Sequence, residues 1–211
     1  MWYSAPSEYL LEDAVNLLIA TGNQGKCAEY QAILDGLDLH LLTLGDVGIE
    51  MTVEETGQTF AENALLKART YARMADLWTL ADDSGLEVDA LGGAPGVYSA
   101  RFGGGDLTDA QRCDLLLAHL EGVPTAERAA RFRCVIALVG PCGREETVQG
   151  ACEGRVALEP AGDKGFGYDP VFYLPDLDRT MAELAPEHKN AISHRAHAGA
   201  EARNVLLRWL G

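Results

Sequence analysis

Two adjacent carboxylates, Asp82 and Asp83, follow the apolar run "LWTLA" and precede Ser84 and Gly85. Like charges side by side at the end of a buried segment are costly unless a cation joins them. Carboxylate oxygens suit Mg²⁺, which takes one or two of them and completes its shell with water and substrate phosphates. The alternative is an Asx-type turn in which one Asp caps and the other is hydrated.

Four other stretches carry reactive side chains. "TGNQGK" brings Thr21, Gly22, Asn23, Gln24, Gly25 and Lys26 to a strand-to-helix turn. There, free helix N–H groups and small residues favour an anion. Its spacing departs from a P-loop, because Gly22 and Gly25 are separated by two residues and Cys27 follows Lys26. "EETGQTFAENALLKA" carries Glu54 and Glu55 ahead of a helix on which Asn63 and Lys67 share a face. "GFGYDP" sets Phe166, Gly167, Tyr168 and Asp169 on a glycine-lined loop, where an aromatic either stacks on a flat base or packs into the core. "EHKNAISHR" gathers Lys189, His194 and Arg195, donors for a phosphate or a purine carbonyl. Jointly these are components for a magnesium-bound nucleoside triphosphate.

The elements that must position them follow from periodicity and caps. The first sixteen residues read as an extension, with a short helix over Ser7 to Val15, ahead of a domain spanning 17–211. "NLLIATGN" reads as a strand, followed by a helix from near Lys26 with apolar positions Ala28, Ile33 and Leu34; "LHLLTL" is a second strand. Thr59 with Glu62 and Thr108 with Gln111 form capping boxes that open two helices. "LWTLADD" and "LEVDAL" are expected as two strands broken at Ser-Gly, with the acid pair at the C-terminal end of the first. "RFRCVIALVG" and "EETVQGACEGRVAL" read as a hairpin around "PCGR", "VFYLP" as a short strand, and Ser193 as the start of the terminal helix. Interleaved helices and strands give an α/β fold with a mixed sheet.

Composition narrows the ligand. The chain has 211 residues, 47% hydrophobic, with formal net charge -15. That balance disfavours broad nucleic-acid or anionic-membrane surfaces and leaves a small polyanion in a local basic pocket. Five cysteines, Cys27, Cys113, Cys134, Cys142 and Cys152, make no CxxC pair or metal-ligand cluster, as in a reducing compartment. No run is long enough to span a membrane, and the N-terminal residues lack a signal-peptide pattern; a cytoplasmic location is expected.

"ATGNQGK", "EETGQTFAENALLKA", "ADDSGLEVDALGGAPGVYSARF", "GFGYDPVF" and "KNAISHR" resemble, in order and spacing, the inosine triphosphate pyrophosphatases, or XTP/dITP diphosphatases, from about Leu17 onward. The resemblance implies hydrolysis of ITP, dITP and XTP to the monophosphate and pyrophosphate. It implies Mg²⁺, an elongated two-lobed α/β fold with a central cleft, and a homodimer. By motif, Thr21 to Lys26 would bind the triphosphate, and Glu55 with Asp83 the metal. Asp83 would act as general base, with Asp82 open to sharing one of these tasks; Ser84 and Lys67 would contact substrate. Phe166 to Asp169, Lys189, His194 and Arg195 would complete the nucleotide pocket. Two other readings remain at this point: a nucleotide sensor without turnover, and a phosphatase releasing orthophosphate.

Overall fold

The computed structural model describes residues 14–140 and 143–210. Seven strands form one sheet in the order β2-β1-β3-β4-β5-β6-β7. Its first part is parallel: β1 (Val15–Ile19) lies between β2 (Leu39–Thr43) and β3 (Trp78–Val88). Beyond β3 all pairs are antiparallel, through β4 (Ala129–Val139), β5 (Glu145–Val156), β6 (Phe172–Leu174) and β7 (Arg179–Thr180). The class is α/β with a mixed sheet flanked by helices, as the pattern of elements implies. Val15, expected to end a short helix, opens β1. The helix's other positions up to Asp13, and Pro141 and Cys142 of the hairpin turn, lie outside the described residues.

Local sequence sets the helix starts. In α1 (Gln24–Ile33) the Asn23 side chain accepts from the Lys26 N–H, so the helix begins two residues ahead of the expected start. Its buried side is Glu29, Tyr30 and Leu34, whereas Ala28 is exposed. Both capping boxes are present, at the starts of α2 (Phe60–Ala75) and α3 (Asp109–His119). A short helix absent from the sequence reading, α4 (Pro186–Ile192), precedes α5 (His194–Leu210). The Ser193 hydroxyl accepts from the Ala196 N–H and caps α5 at the expected place.

One expectation fails, with consequences for the site. Ser84 and Gly85 do not break the chain: β3 runs unbroken from Trp78 to Val88, with Ser84 opposite Cys134 and Gly85 opposite Arg133 on β4. Asp82 and Asp83 therefore stand mid-strand, not at a strand end. Gly85 serves close approach, since a Cβ there would lie 2.4 Å from the Gly96 carbonyl oxygen and from Ser99 Oγ. The parallel pairing of β1 with β3 ends at Ile19 and Leu80. Past that point β3 leaves β1 and continues along β4, with one isolated bridge from Glu87 to Pro95, which opens a crevice beside the acids at the C-terminal end of β1.

Three apolar clusters hold this frame. On one sheet face Leu17, Ile19, Leu80 and Ile136 pack with Tyr30 of α1 and Ala198, Ala202 and Val205 of α5. On the other, Leu18, Ala81, Val135 and Ala137 pack with Phe60, Ala64 and Ala68 of α2. A third cluster joins α3 to the distal ends of β3 to β5 and to β6, through Leu86, Leu116, Phe132 and Phe172. The third cluster makes the second lobe, and the crevice lies between the lobes.

Candidate active site

The pleat of β3 answers the problem of two adjacent acids. Successive side chains of a strand point to opposite faces. Leu80 belongs to the α1/α5 face and Ala81 to the α2 face, so Asp82 falls on the first and Asp83 on the second. One sheet thus separates the two charges, and each acquires its own surroundings.

Asp82 is 2% exposed and bridges two cations: its Oδ2 lies 2.9 Å from Lys26 Nζ and 3.4 Å from Arg195 Nη2. Burial pushes its pKa up, but Lys26, Arg195 and Lys67 outweigh burial and hold it well below the usual carboxylate range. Arg195, 1% exposed, also donates to Glu29 and, at 3.0 Å, to Ser84 Oγ. Glu29 in turn accepts from Lys189 at 3.0 Å, and Lys189 reaches Asp169 at 2.6 Å. The result is a buried charge network that fixes Lys26, Lys189 and Arg195 around one end of a cavity.

Asp83 is held differently. Asn63 Nδ2 and the Ser84 N–H each donate to it at 3.0 Å, while Lys67 Nζ stands 3.7 Å away and also pairs with Glu55. Arg101 Nη1 closes this side on Glu55 at 3.1 Å. Burial raises the Asp83 pKa; Lys67 opposes the rise, the Glu55 charge adds to it, and the net shift is upward. Glu55 moves the other way: burial raises it, but Lys67 and Arg101 prevail. Asp83 is the carboxylate suited to accept a proton, and Asp82 the one that organises cations.

Both sets line one cavity. Its walls include Asn23, Lys26, Glu55, Asp83, Ser84, Phe132, Phe166, Gly167, Tyr168, Asp169, Lys189, His194 and Arg195. Of the remaining predicted positions, Lys67 adjoins it through Glu55 and Asp83. Thr21, Gly22, Gln24 and Gly25, expected to bind the triphosphate with Asn23 and Lys26, are not among those walls. Gly25 permits loop closure, because a Cβ there would lie 2.8 Å from the Phe166 ring. Phe166 faces Lys189 at 4.6 Å and Arg195 at 5.7 Å from its ring centre. Tyr168 packs in the third cluster and donates to the Ser99 carbonyl at 2.9 Å, which fixes the loop. His194 stacks on Phe132 with ring centres 4.8 Å apart. Its burial, then Arg195 and Lys189, lower its pKa well below the ordinary value, so the ring is neutral.

Sequence reasoning missed Glu29, Arg101, Asp109 and Arg112, and left Asn63 without a role. Asn63 is fully buried, and the face it shares with Lys67 packs against Asp83. Spacing offered one signal for Glu29, one turn after Lys26 on α1. Arg101 and Arg112 had none.

Residues 17–205 match the Ham1 family. The chain belongs to it. A dITP/XTP pyrophosphatase of Bacillus licheniformis is 50% identical over 182 residues, covering 86% of this chain and 93% of that one. One from Geobacter sulfurreducens is 50% identical over 195 residues, 92% of this chain and 98% of its own. A HAM1 protein structure from Coxiella burnetii superposes with a TM-score of 0.83 at 43% identity, covering 92% and 99% of the two chains. The Ham1 protein of Staphylococcus aureus superposes at 0.81 with 41% identity, covering 90% and 97%. Family membership makes the chain a hydrolase of a nucleotide phosphoanhydride bond.

Among the described residues no group of three or more His, Cys, Asp or Glu side chains is arranged to hold a metal ion. The two carboxylates Glu55 and Asp83 nonetheless line the cavity on one side, with the Lys67 ammonium between them. Two hard oxygen donors beside a cavity fit Mg²⁺ of the kind completed by substrate phosphates. They fit it better than zinc, whose structural sites need four protein ligands.

Proposed function

We propose that this Ham1-family chain hydrolyses the non-standard purine nucleoside triphosphates ITP, dITP and XTP to the monophosphate and pyrophosphate. The observation that carries the reading is the division of the acid pair. Asp83 is free to meet substrate beside Glu55, while Asp82 is committed to Lys26 and Arg195.

The triphosphate lies along the N-terminus of α1, where Lys26 and the first helical N–H groups offset its charge. Lys67 and Arg101, both paired with Glu55, add positive charge beside that carboxylate. Glu55 and Asp83 would hold Mg²⁺, which when bound neutralises phosphate charge and acts as a Lewis acid. Asn63 orients the Asp83 carboxylate through its Nδ2 donor. Asp83 takes a proton from a water whose oxygen bonds to the α-phosphorus; the α–β bridging P–O bond breaks and pyrophosphate departs with its electrons.

The base occupies the aromatic end, against Phe166 and Phe132. Inosine and xanthine present a 6-oxo acceptor where adenine has an amino donor. The Arg195 Nε atom is buried and, among the described residues, without a partner, so a donor remains for that acceptor. A site built to donate rejects a base that also donates, because buried polar groups are then left unpaired. The test is pyrophosphate against orthophosphate release from ITP, XTP, GTP and ATP, with Mg²⁺ and with chelator. Metal-dependent pyrophosphate release favouring ITP and XTP is expected; orthophosphate, or indifference to the base, would refute the reading.

A further inference from the structure

The 6-oxo group does not separate inosine and xanthine from guanine, which carries it too. The distinguishing position is C2: an oxo acceptor in xanthine, hydrogen in hypoxanthine, an amino donor in guanine. We propose that Arg112 reads this position, donating to the 2-oxo group of xanthine and opposing the 2-amino group of guanine. The proposal rests on the pyrophosphatase reading and adds a residue to it.

Arg112 lies in the first turn of α3, whose start is fixed by the Thr108–Gln111 capping box. It comes from a different element than His194 and Arg195, and it lines the same cavity. Its neighbour Asp109 ties α3 to the base loop, accepting from the Gly167 N–H at 2.7 Å. Cys113 adds a second tie, its Sγ 3.4 Å from the Gly167 carbonyl oxygen. The guanidinium therefore stands beside Asp109, which holds the loop that carries Phe166.

Arg112 is also short of partners. It is 8% exposed, its contacts to Asp109 Oδ1 and the Gly105 carbonyl are both 3.4 Å, and among the described residues its Nε has none. Buried donors left this loosely satisfied are costly, and an acceptor on a ligand relieves them. A 2-oxo group gains a charge-assisted hydrogen bond, hydrogen at C2 gains nothing, and a 2-amino group meets a donor.

The test is kcat/KM for pyrophosphate release from XTP, ITP and GTP by wild type, Arg112→Met and Arg112→Gln. Ratios between bases within one variant cancel any loss of folded protein. Arg112→Met should lower the XTP/ITP ratio roughly ten-fold or more and raise the GTP/ITP ratio. Arg112→Gln, which keeps a neutral N–H donor, should retain part of the XTP preference. Unchanged ratios in an active enzyme would overturn the Arg112 assignment alone. Wild-type protein that released pyrophosphate from none of the three would overturn the pyrophosphatase reading, and this assignment with it.

Discussion

Asp82 and Asp83 are chemically identical neighbours, so replacing each by Asn in turn separates what the sheet does to them. Asp82→Asn removes a charge that is 2% exposed and placed between Lys26 at 2.9 Å and Arg195 at 3.4 Å. Removing one partner of a buried ion pair costs roughly 3–5 kcal/mol. Arg195 retains Glu29, so the lower end applies, about 3 kcal/mol. For a chain of this size each kcal/mol moves Tm by about 2–4 °C, hence a fall of roughly 6–12 °C. Asp83→Asn removes a charge with no cation among the described residues closer than Lys67 at 3.7 Å, and one that Glu55 repels. Its Tm should stay within about 2–4 °C of wild type, equivalent to roughly 1 kcal/mol, while pyrophosphate release collapses. Thermal unfolding in the presence of chelator, paired with the turnover assay, reads both effects. The reasoning fails if Asp83→Asn is the more destabilised variant, or if Asp82→Asn melts with wild type.

The neutral, buried His194 makes stability depend on pH. Because its folded pKa is depressed, the unfolded state binds the extra proton, and stability declines as pH falls below the unfolded value of about 6.5. His194→Gln should flatten that decline between about pH 6.5 and 5 in denaturant titrations; an unaltered slope would show that the ring is not buried neutral. Burial raises the Cys134 and Cys113 thiols to about 12 and Cys152 to about 11. Peptide mapping after iodoacetamide should find these three unmodified in native protein and alkylated in urea; native alkylation of Cys134 would contradict its place beneath Asp82. Gly25→Ala would put a Cβ 2.8 Å from the Phe166 ring, whereas the Gly22 position is open. Gly25→Ala should therefore raise KM several-fold through displacement of Phe166, with Gly22→Ala close to wild type; equal effects would mean that the strand-to-helix turn does not register on Phe166.

Much of this molecule was decided locally and could be read from the chain. Asn23, Thr59, Thr108 and Ser193 cap helices because their side-chain oxygens accept from N–H groups three residues on, which depends on sequence neighbours alone. The same locality set the alternation of strands and helices. It also made the acids, lysines, glycines and aromatics legible as parts of a nucleotide site.

What the sequence by itself could not decide was the surroundings of each part. Ser-Gly after an acid pair is a turn signal, yet Ser84 and Gly85 stay in strand because β4, some fifty residues later, pairs with them. Only that pairing keeps β3 extended, and only an extended strand sends Asp82 and Asp83 to opposite faces. Glu29, Asn63 and Arg101 likewise gain their roles from partners distant in the chain, and Arg112 from the cavity that distant elements close around it. Residue types supplied the chemistry; long-range strand pairing and helix docking decided which acid holds cations and which accepts a proton, because burial and nearby charge are properties of the folded arrangement.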